Sequence, residues 1–189
     1  MIYFDQHYNQ GVTDSCSWLN EALSQAAEYY NNYLDNHLAW IQAFLAKDWY
    51  YLSLTHWTSN NYGYSAIFIR YLIDQYGDTA ILKIAQSNKV GIAAVEDATG
   101  QDFNTIFINF SRALLLSGTD TTSPLYNFKT LNLRSLQPYG RGGLYVPFTG
   151  TAGDTWTVDV YPYNLTVINF TGAFGTMNLS AGNGMAIGY

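Results

Sequence analysis

Several scarcities in the 189-residue sequence exclude broad classes of protein. Cys16 is the only cysteine, so the chain cannot form an internal disulfide. Charged residues make up only 12 %, the net charge is −6, and basic residues form no run, which argues against a nucleic-acid partner. Apolar residues never continue for the roughly eighteen positions that a transmembrane helix needs, so the sequence predicts no membrane span.

Several catalytic signatures are also missing. The chain has no Gly-x-Ser-x-Gly elbow, which argues against a serine hydrolase. The glycine cluster at residues 140–143 lacks the lysine of a phosphate-binding loop and is interpreted as a turn. The three histidines, His7, His37 and His56, have no metal-ligand spacing between them and are predicted to be structural.

Aromatic residues and helical periodicity are abundant. Hydrophobic residues make up 48 % of the chain, which is ordinary for a globular protein, and 17 % of all residues are aromatic. The spacing of apolar residues predicts helices at about 17–35, 36–46, 64–76, 79–87, 90–99 and 103–117. Gly77, Gly100 and Gly118 are predicted helix stops, while Asp78 and Asp102 are predicted helix caps.

The character of the sequence changes at a polar linker, residues 119–124. Beyond it, alternation of apolar and polar residues predicts strands at 144–148, 155–161 and 164–170, with turns between them. The expected fold class is therefore α+β, with a mainly helical subdomain at 1–118 and a small antiparallel β module at 125–189.

The first predicted helix contains the most informative stretch, Trp-Leu-Asn-Glu-Ala-Leu-Ser at residues 18–24. Periodicity alone places Glu21 on the solvated face of an amphipathic helix. The stretch, however, resembles the helix that carries the third zinc ligand in gluzincin metallopeptidases, most closely in the hyicolysin-like group. The resemblance covers roughly residues 1–117 and implies a helical C-terminal subdomain of that superfamily, with Glu21 as a zinc ligand. It departs from the family at Ala22, where glycine is usual.

A second segment, Tyr-Gly-Tyr-Ser-Ala at residues 62–66, resembles the part of gluzincins that places a tyrosine hydroxyl near the scissile carbonyl. The resemblance thus implies a catalytic role for Tyr62, with Tyr64 as the alternative. Asn20 is a further candidate, as a residue that shapes the site by hydrogen bonding.

The His-Glu-x-x-His motif that supplies two zinc ligands and the general base in gluzincins is absent. Because the ligand glutamate follows that motif by about twenty residues, we expect Met1 to be an internal methionine and the zinc helix to precede it. The expectation is the C-terminal fragment of a secreted or cell-surface zinc metallopeptidase acting on peptides or proteins. This chain by itself is expected to be inactive and free of zinc.

The sequence leaves two other interpretations open. The chain could be a non-catalytic module that binds carbohydrate or protein at the cell surface through its aromatic and neutral polar residues. It could also be a degenerate relative that has lost its zinc helix. The position of Glu21 discriminates between a zinc ligand, which lies in an accessible groove, and a scaffold residue, which lies on a convex outer surface.

Overall fold

The computed structural model describes residues 16–46, 52–118, 123–136, 148–151, 162–165 and 168–170. In this part of the chain the helices are α1 (Ser17–Tyr30), α2 (Leu34–Leu45), α3 (Tyr62–Gln86), α4 (Gly91–Thr99) and α5 (Phe103–Leu116). Short 3₁₀ turns occupy Ser59–Asn61 and Pro124–Tyr126, and the strands are β1 (Phe148–Gly150) and β2 (Ile168–Phe170). None of the helices described has the length and hydropathy needed to cross a bilayer.

Local chemistry sets three helix boundaries that the sequence predicted, at Gly77, Gly100 and Asp102. Gly77 interrupts α3 with φ 77° and ψ 172°, so the predicted break between two helical stretches is confirmed. Gly100 ends α4 in the left-handed conformation, which a residue without Cβ adopts easily. Asp102 caps α5, because its carboxylate accepts a hydrogen bond from the Thr105 N–H at 2.9 Å.

The first helix ends earlier than predicted. The expected helix at 17–35 stops at Tyr30, and Asn32 follows with φ 61°. Asparagine tolerates this left-handed conformation better than most residues, so the consecutive Asn31 and Asn32 allow the chain to turn. The turn separates α1 from α2, which begins at Leu34.

Aromatic side chains from three helices form the centre of the core. Trp18 of α1 makes edge contacts with Phe68 of α3 and Phe103 of α5, with ring centroids 6.0 Å and 5.7 Å apart. Phe110 packs against Phe68 at 5.2 Å. Burying a side chain of this size stabilises the folded chain by about 2 kcal/mol, so this cluster fixes how α1, α3 and α5 pack together.

Two segments beyond the helices pack onto them. In the 123–136 segment, Phe128, Leu131 and Leu133 are buried in the same core as the helices. Asp74 of α3 binds this segment by accepting hydrogen bonds from the backbone N–H groups of Lys129 and Thr130, at 2.8 Å and 3.1 Å. Residues 162–165 lie against residues 52–54 through an antiparallel bridge between Ser53 and Asn164.

The predicted α+β class with a small antiparallel β module is wrong. The described residues are mostly helical, and β1 and β2 are three residues each and pair in parallel, Phe148 opposite Ile168. Alternation of apolar residues indicates extended backbone but does not determine which strands pair or in which direction. The predicted strand at 155–161 and most of that at 144–148 lie outside the described residues, as do residues 166–167 of the strand at 164–170. Most of the 119–124 linker, the turn at 140–143 and His7 also lie outside them.

Candidate functional site

Glu21 lies near the start of α1, at the border between its buried and exposed faces. Trp18, Ala22 and Leu23 on the same helix are buried in the core, whereas the Glu21 side chain is partly exposed. The buried neighbours hold the helix in place, so the carboxylate is presented at the surface from a rigid element.

The loop before α3 is organised by Asn61, whose buried side-chain amide donates hydrogen bonds to the backbone carbonyls of Ser53 and His56. The hydroxyl of Thr58 donates to the side-chain amide oxygen, Oδ1, of Asn61 at 2.7 Å. These bonds satisfy backbone groups that a buried turn would otherwise leave unpaired. They fix the entry of the chain into α3, where Tyr62 is the first residue.

Gly63 lets the first turn of α3 approach the backbone of α2. A Cβ at this position would lie 2.1 Å from the Trp40 carbonyl oxygen and 2.5 Å from the Phe44 Cβ. Neither distance is possible between non-bonded atoms without a shift of the two helices. The absence of a side chain at Gly63 is therefore what brings Tyr62 against α2.

The close approach stacks the Tyr62 ring on the indole of Trp40. Their centroids are 5.0 Å apart at an interplanar angle of 28°. Trp57, from the loop before α3, meets the Tyr62 ring edge-on at 4.9 Å and 85°. Trp40 is 42 % exposed, and Trp57 and Tyr62 are partly exposed, so the three rings form an accessible aromatic surface. We refer to Trp40, Trp57 and Tyr62 as the aromatic platform.

The Glu21 carboxylate lies near enough to the Tyr62 hydroxyl to raise the pKa of that phenol. Burial is the main reason that the pKa of Tyr62 is raised above its ordinary value, followed by the negative charge of Glu21, the hydrogen bond to Glu21 and the charge of Glu28. Tyr62 is therefore a neutral phenol and a hydrogen-bond donor at neutral pH. The structure thus places the two residues that the sequence singled out near each other, Glu21 on α1 and Tyr62 on α3.

A buried polar cluster lies between the same helices. His37 of α2 is fully buried, and its Nδ1 lies 3.3 Å from the Gln25 Oε1 of α1. The guanidinium of Arg70, on α3, lies 3.8 Å from the centre of the Tyr29 ring and donates to Thr130. Buried groups of this kind are restrained by their partners, so the cluster fixes the mutual position of α1, α2 and α3.

The other sequence candidates lie apart from the Glu21–Tyr62 pair or add no described contact to it. Tyr64 is fully buried, its hydroxyl lies 3.5 Å from the Tyr163 carbonyl oxygen, and burial raises its pKa. Tyr64 is therefore a core residue. Asn20 is partly exposed beside Glu21, and His56 is exposed in the loop before α3.

The donor groups of the described residues do not complete a zinc site. No three histidine, cysteine or acidic side chains in the described ranges come together as metal ligands would. Glu21 offers one carboxylate, whereas a zinc site in a protein uses three or four protein ligands. Within this part of the chain, Glu21 can contribute to a metal site but cannot hold the ion alone.

Comparisons with protein-family models, curated proteins and solved structures find no match for this chain. The interpretation of the Glu21–Tyr62 pair therefore depends on its own geometry and on the residues around it.

Sequence reasoning missed the residues that surround this pair. Trp40 and Trp57 were not assigned to the site, because an aromatic residue in a chain so rich in aromatics gives no specific signal. Glu28 was also missed, although it lies seven residues after Glu21 and hence on nearly the same face of α1. That spacing was the one signal that could have identified it.

Proposed function

We propose that this chain is the C-terminal portion of a secreted or cell-surface zinc metallopeptidase, and that Glu21 is the zinc ligand it contributes. The observation that supports the proposal is the proximity of the Glu21 carboxylate to the Tyr62 hydroxyl, whose pKa it raises. The resemblance to gluzincins singled out these two residues from different parts of the sequence.

The pair is suited to orienting a metal ligand. A carboxylate has two oxygens, so a hydrogen bond from the Tyr62 O–H to one of them would leave lone pairs on the other for a cation. Outer hydrogen bonds of this type fix the direction of a ligating carboxylate and increase metal affinity. Because Tyr62 is itself held between Trp40 and Trp57, the direction of the bond is fixed by packing.

A zinc ion held by Glu21 and two further ligands would supply an acidified water as the nucleophile for peptide-bond hydrolysis. The proposal requires two further ligands and a general base, which the described residues do not provide. The 189-residue chain is accordingly expected to be proteolytically silent. A clear one-equivalent zinc signal in this chain, with casein hydrolysis that is lost on chelation, would contradict that expectation.

The test is to translate the DNA upstream of Met1 in the same frame and to express the longer polypeptide. We expect a His-Glu-x-x-His motif ending within a few residues of Met1, and a longer protein that binds one zinc and hydrolyses casein. Glu21→Gln should lose zinc and activity. Tyr62→Phe should keep the ring but weaken zinc binding by about 10- to 100-fold. Upstream sequence without the motif would refute the proposal.

Tyr33→Phe is the matched control, since Tyr33 is 67 % exposed. This variant removes a tyrosine hydroxyl from the surface without altering the Glu21 carboxylate, so zinc affinity should not change. If both tyrosine variants weaken zinc equally, the effect of Tyr62→Phe is not specific and the proposed role of its hydroxyl is wrong.

The alternative is a non-catalytic module that binds carbohydrate, and the exposed aromatic platform favours it. Sugar rings stack on aromatic faces, and Trp40 offers the most exposed ring of the three. Under this alternative Trp40→Ala abolishes binding to an oligosaccharide whereas Tyr62→Phe, which retains the ring, does not. Absence of oligosaccharide binding by the wild-type chain would remove the alternative.

A further inference from the structure

We propose that a surface pocket between the end of α5 and the 123–136 segment binds the phosphate group of a small organic phosphate monoester. None of the residues that line it belongs to the Glu21–Tyr62 pair or to the aromatic platform, so the inference does not rest on the proposed function. Three features support the site: a pocket large enough for such a ligand, two cationic side chains without an acidic partner, and hydrogen-bond donors that both of them keep available.

The first feature is the pocket itself. It has a volume of about 490 Å³ and is lined by Ser117 and Gly118, by residues 127–132 and by Arg134. Pockets that bind small molecules in proteins typically have volumes of about 300–1,000 Å³. A phosphate group fills only a small part of this space, which leaves room for the organic group that carries it. Phe128 and Leu131, which are core residues, provide an apolar part of the lining for that group.

The second feature is positive charge that no acidic residue of the pocket neutralises. Lys129 and Arg134 both line the pocket, and no aspartate or glutamate is among the residues that line it. In the part of the chain that the structure describes, neither side chain forms an ion pair. The pocket is therefore a local exception in a chain with a net charge of −6. Two cations at one pocket match a phosphate monoester, which carries nearly two negative charges, better than a singly charged carboxylate.

The third feature is that both cationic groups are positioned by the protein and still keep donors for a ligand. The Nε and Nη2 of Arg134 donate to the backbone carbonyls of Ser117 and Leu115, so the guanidinium is held at the end of α5. Its Nη1 donates to no group among the described residues. The Nζ of Lys129 donates one N–H to the Asp74 carbonyl oxygen and keeps two. A planar guanidinium and an ammonium group are the side chains that proteins use most to bind phosphate oxygens.

The carboxylate of Asp74 does not oppose this charge from inside the pocket. Asp74 is only 5 % exposed and is not among the residues that line the pocket. Its oxygens accept hydrogen bonds from the backbone N–H groups of Lys129 and Thr130 and from the Thr130 hydroxyl. The guanidinium of Arg70 donates to the same hydroxyl, so the charge of Asp74 is offset within the protein. Asp74 thus anchors the backbone from which Lys129 extends.

The test is a titration of the isotope-labelled 189-residue chain at about pH 7.5, where the monoester is mainly a dianion. The probes are phenyl phosphate, inorganic phosphate and benzoate at matched ionic strength. Binding is followed by the backbone amide resonances of Gly118 and Asn132 and by the side-chain Nε–H resonance of Arg134. We expect phenyl phosphate to shift all three resonances to saturation, and inorganic phosphate and benzoate to bind more weakly. Gly100 ends α4 outside the pocket and is the internal control.

Two substitutions locate the site. Lys129→Gln should weaken binding of phenyl phosphate by roughly fivefold, because one of the two cations is lost. Arg134→Lys keeps the charge but removes the planar fork, and it should also weaken binding. Lys83→Gln is the matched control, because it removes the same charge from an exposed lysine of α3 outside the pocket, and it should retain the wild-type affinity. Circular dichroism checks the fold of each variant, and the resonance shifts of the wild-type chain locate the ligand without any variant.

Four outcomes would overturn the inference. They are benzoate binding as tightly as phenyl phosphate, inorganic phosphate binding as tightly as phenyl phosphate, wild-type affinity in a folded Lys129→Gln, and resonance shifts as large at Gly100 as at the pocket. The first would assign the pocket to any anion, and the second would restrict it to the free ion. None of the four bears on zinc binding through Glu21, which the longer polypeptide tests separately.

Discussion

Acidification from pH 7 to pH 4 should destabilise the protein in part through one buried imidazole, that of His37. The ring is fully buried between α1 and α3, with Gln25 Oε1 3.3 Å from its Nδ1 and the Tyr29 ring centroid 6.1 Å away. Its Nε2 is buried without a hydrogen-bond partner among the described residues. Burial, and to a smaller extent the positive charge of Arg70, lowers the pKa of His37 from 6.5 to about 4.

The sign of the effect follows from which state binds the proton first. In the unfolded chain His37 is protonated as the pH falls through 6.5, whereas in the folded protein it stays neutral until about pH 4. Its contribution to stability is therefore present above pH 6.5 and is lost as the pH falls from 6.5 to 4. At about 1.4 kcal/mol per pKa unit, the difference corresponds to about 3 kcal/mol. Domains of this size are stabilised by about 5–15 kcal/mol in total, so the loss is measurable.

Urea unfolding between pH 7 and pH 4, followed by tryptophan fluorescence, measures this free energy. Carboxylate protonation destabilises every variant at the acid end, so the informative quantity is the difference between wild type and His37→Gln. That difference should shrink by about 3 kcal/mol as the pH falls. His56→Gln removes an exposed imidazole but leaves His37 in place, so its stability should fall with pH as in the wild type. If the free energies of unfolding of wild type and His37→Gln fall in parallel with pH, His37 is not the group responsible and the prediction is wrong.

Two further substitutions test the packing that positions the site. Gly63→Ala places a methyl group 2.1 Å from the Trp40 carbonyl oxygen and should destabilise the protein by about 3 kcal/mol in urea unfolding. The control is Gly100→Ala, whose methyl group meets no atom but whose backbone needs φ 68°, and it should destabilise the protein by about 1 kcal/mol. Equal losses of stability in the two variants would contradict the close approach of α3 to α2 at Gly63. Asp74→Ala removes the acceptor for two backbone N–H groups of the 123–136 segment and should also cost about 3 kcal/mol. The control is Asp97→Ala, which removes an exposed ion pair and should destabilise the protein by less than about 1 kcal/mol. A similar loss of stability in both aspartate variants would contradict the role of Asp74 in anchoring the 123–136 segment.

Local chemistry made the helices predictable. Gly77, Gly100 and Asp102 each act within a few residues of their own position, by a left-handed conformation or by a side chain that caps the next turn. Such signals need no knowledge of the rest of the fold. The exception was the end of α1, where Asn31 and Asn32 can continue a helix or end it, and the choice depends on what α2 packs against.

The candidate site could be predicted only in part, because it is assembled by tertiary contacts. The sequence around Glu21 and Tyr62 identified the two residues, but their pairing depends on how closely α3 approaches α2 at Gly63. The distinction between Tyr62 and Tyr64 required the structure, since two residues along a helix separate a surface ring from a core ring. Strand pairing failed as a prediction for the same reason, because direction and register are set by contacts distant in sequence.

The Tyr62 side chain separates the peptidase from the non-catalytic binding module, because its hydroxyl and its ring serve different partners. The hydroxyl lies near Glu21 and matters only if that carboxylate must hold one direction, as a metal ligand does. The ring stacks on Trp40 and matters for any ligand that lies on the aromatic platform. Tyr62→Phe removes the first and keeps the second, so loss of zinc affinity with retained binding of a ligand on the platform would assign the two roles to different atoms of one residue.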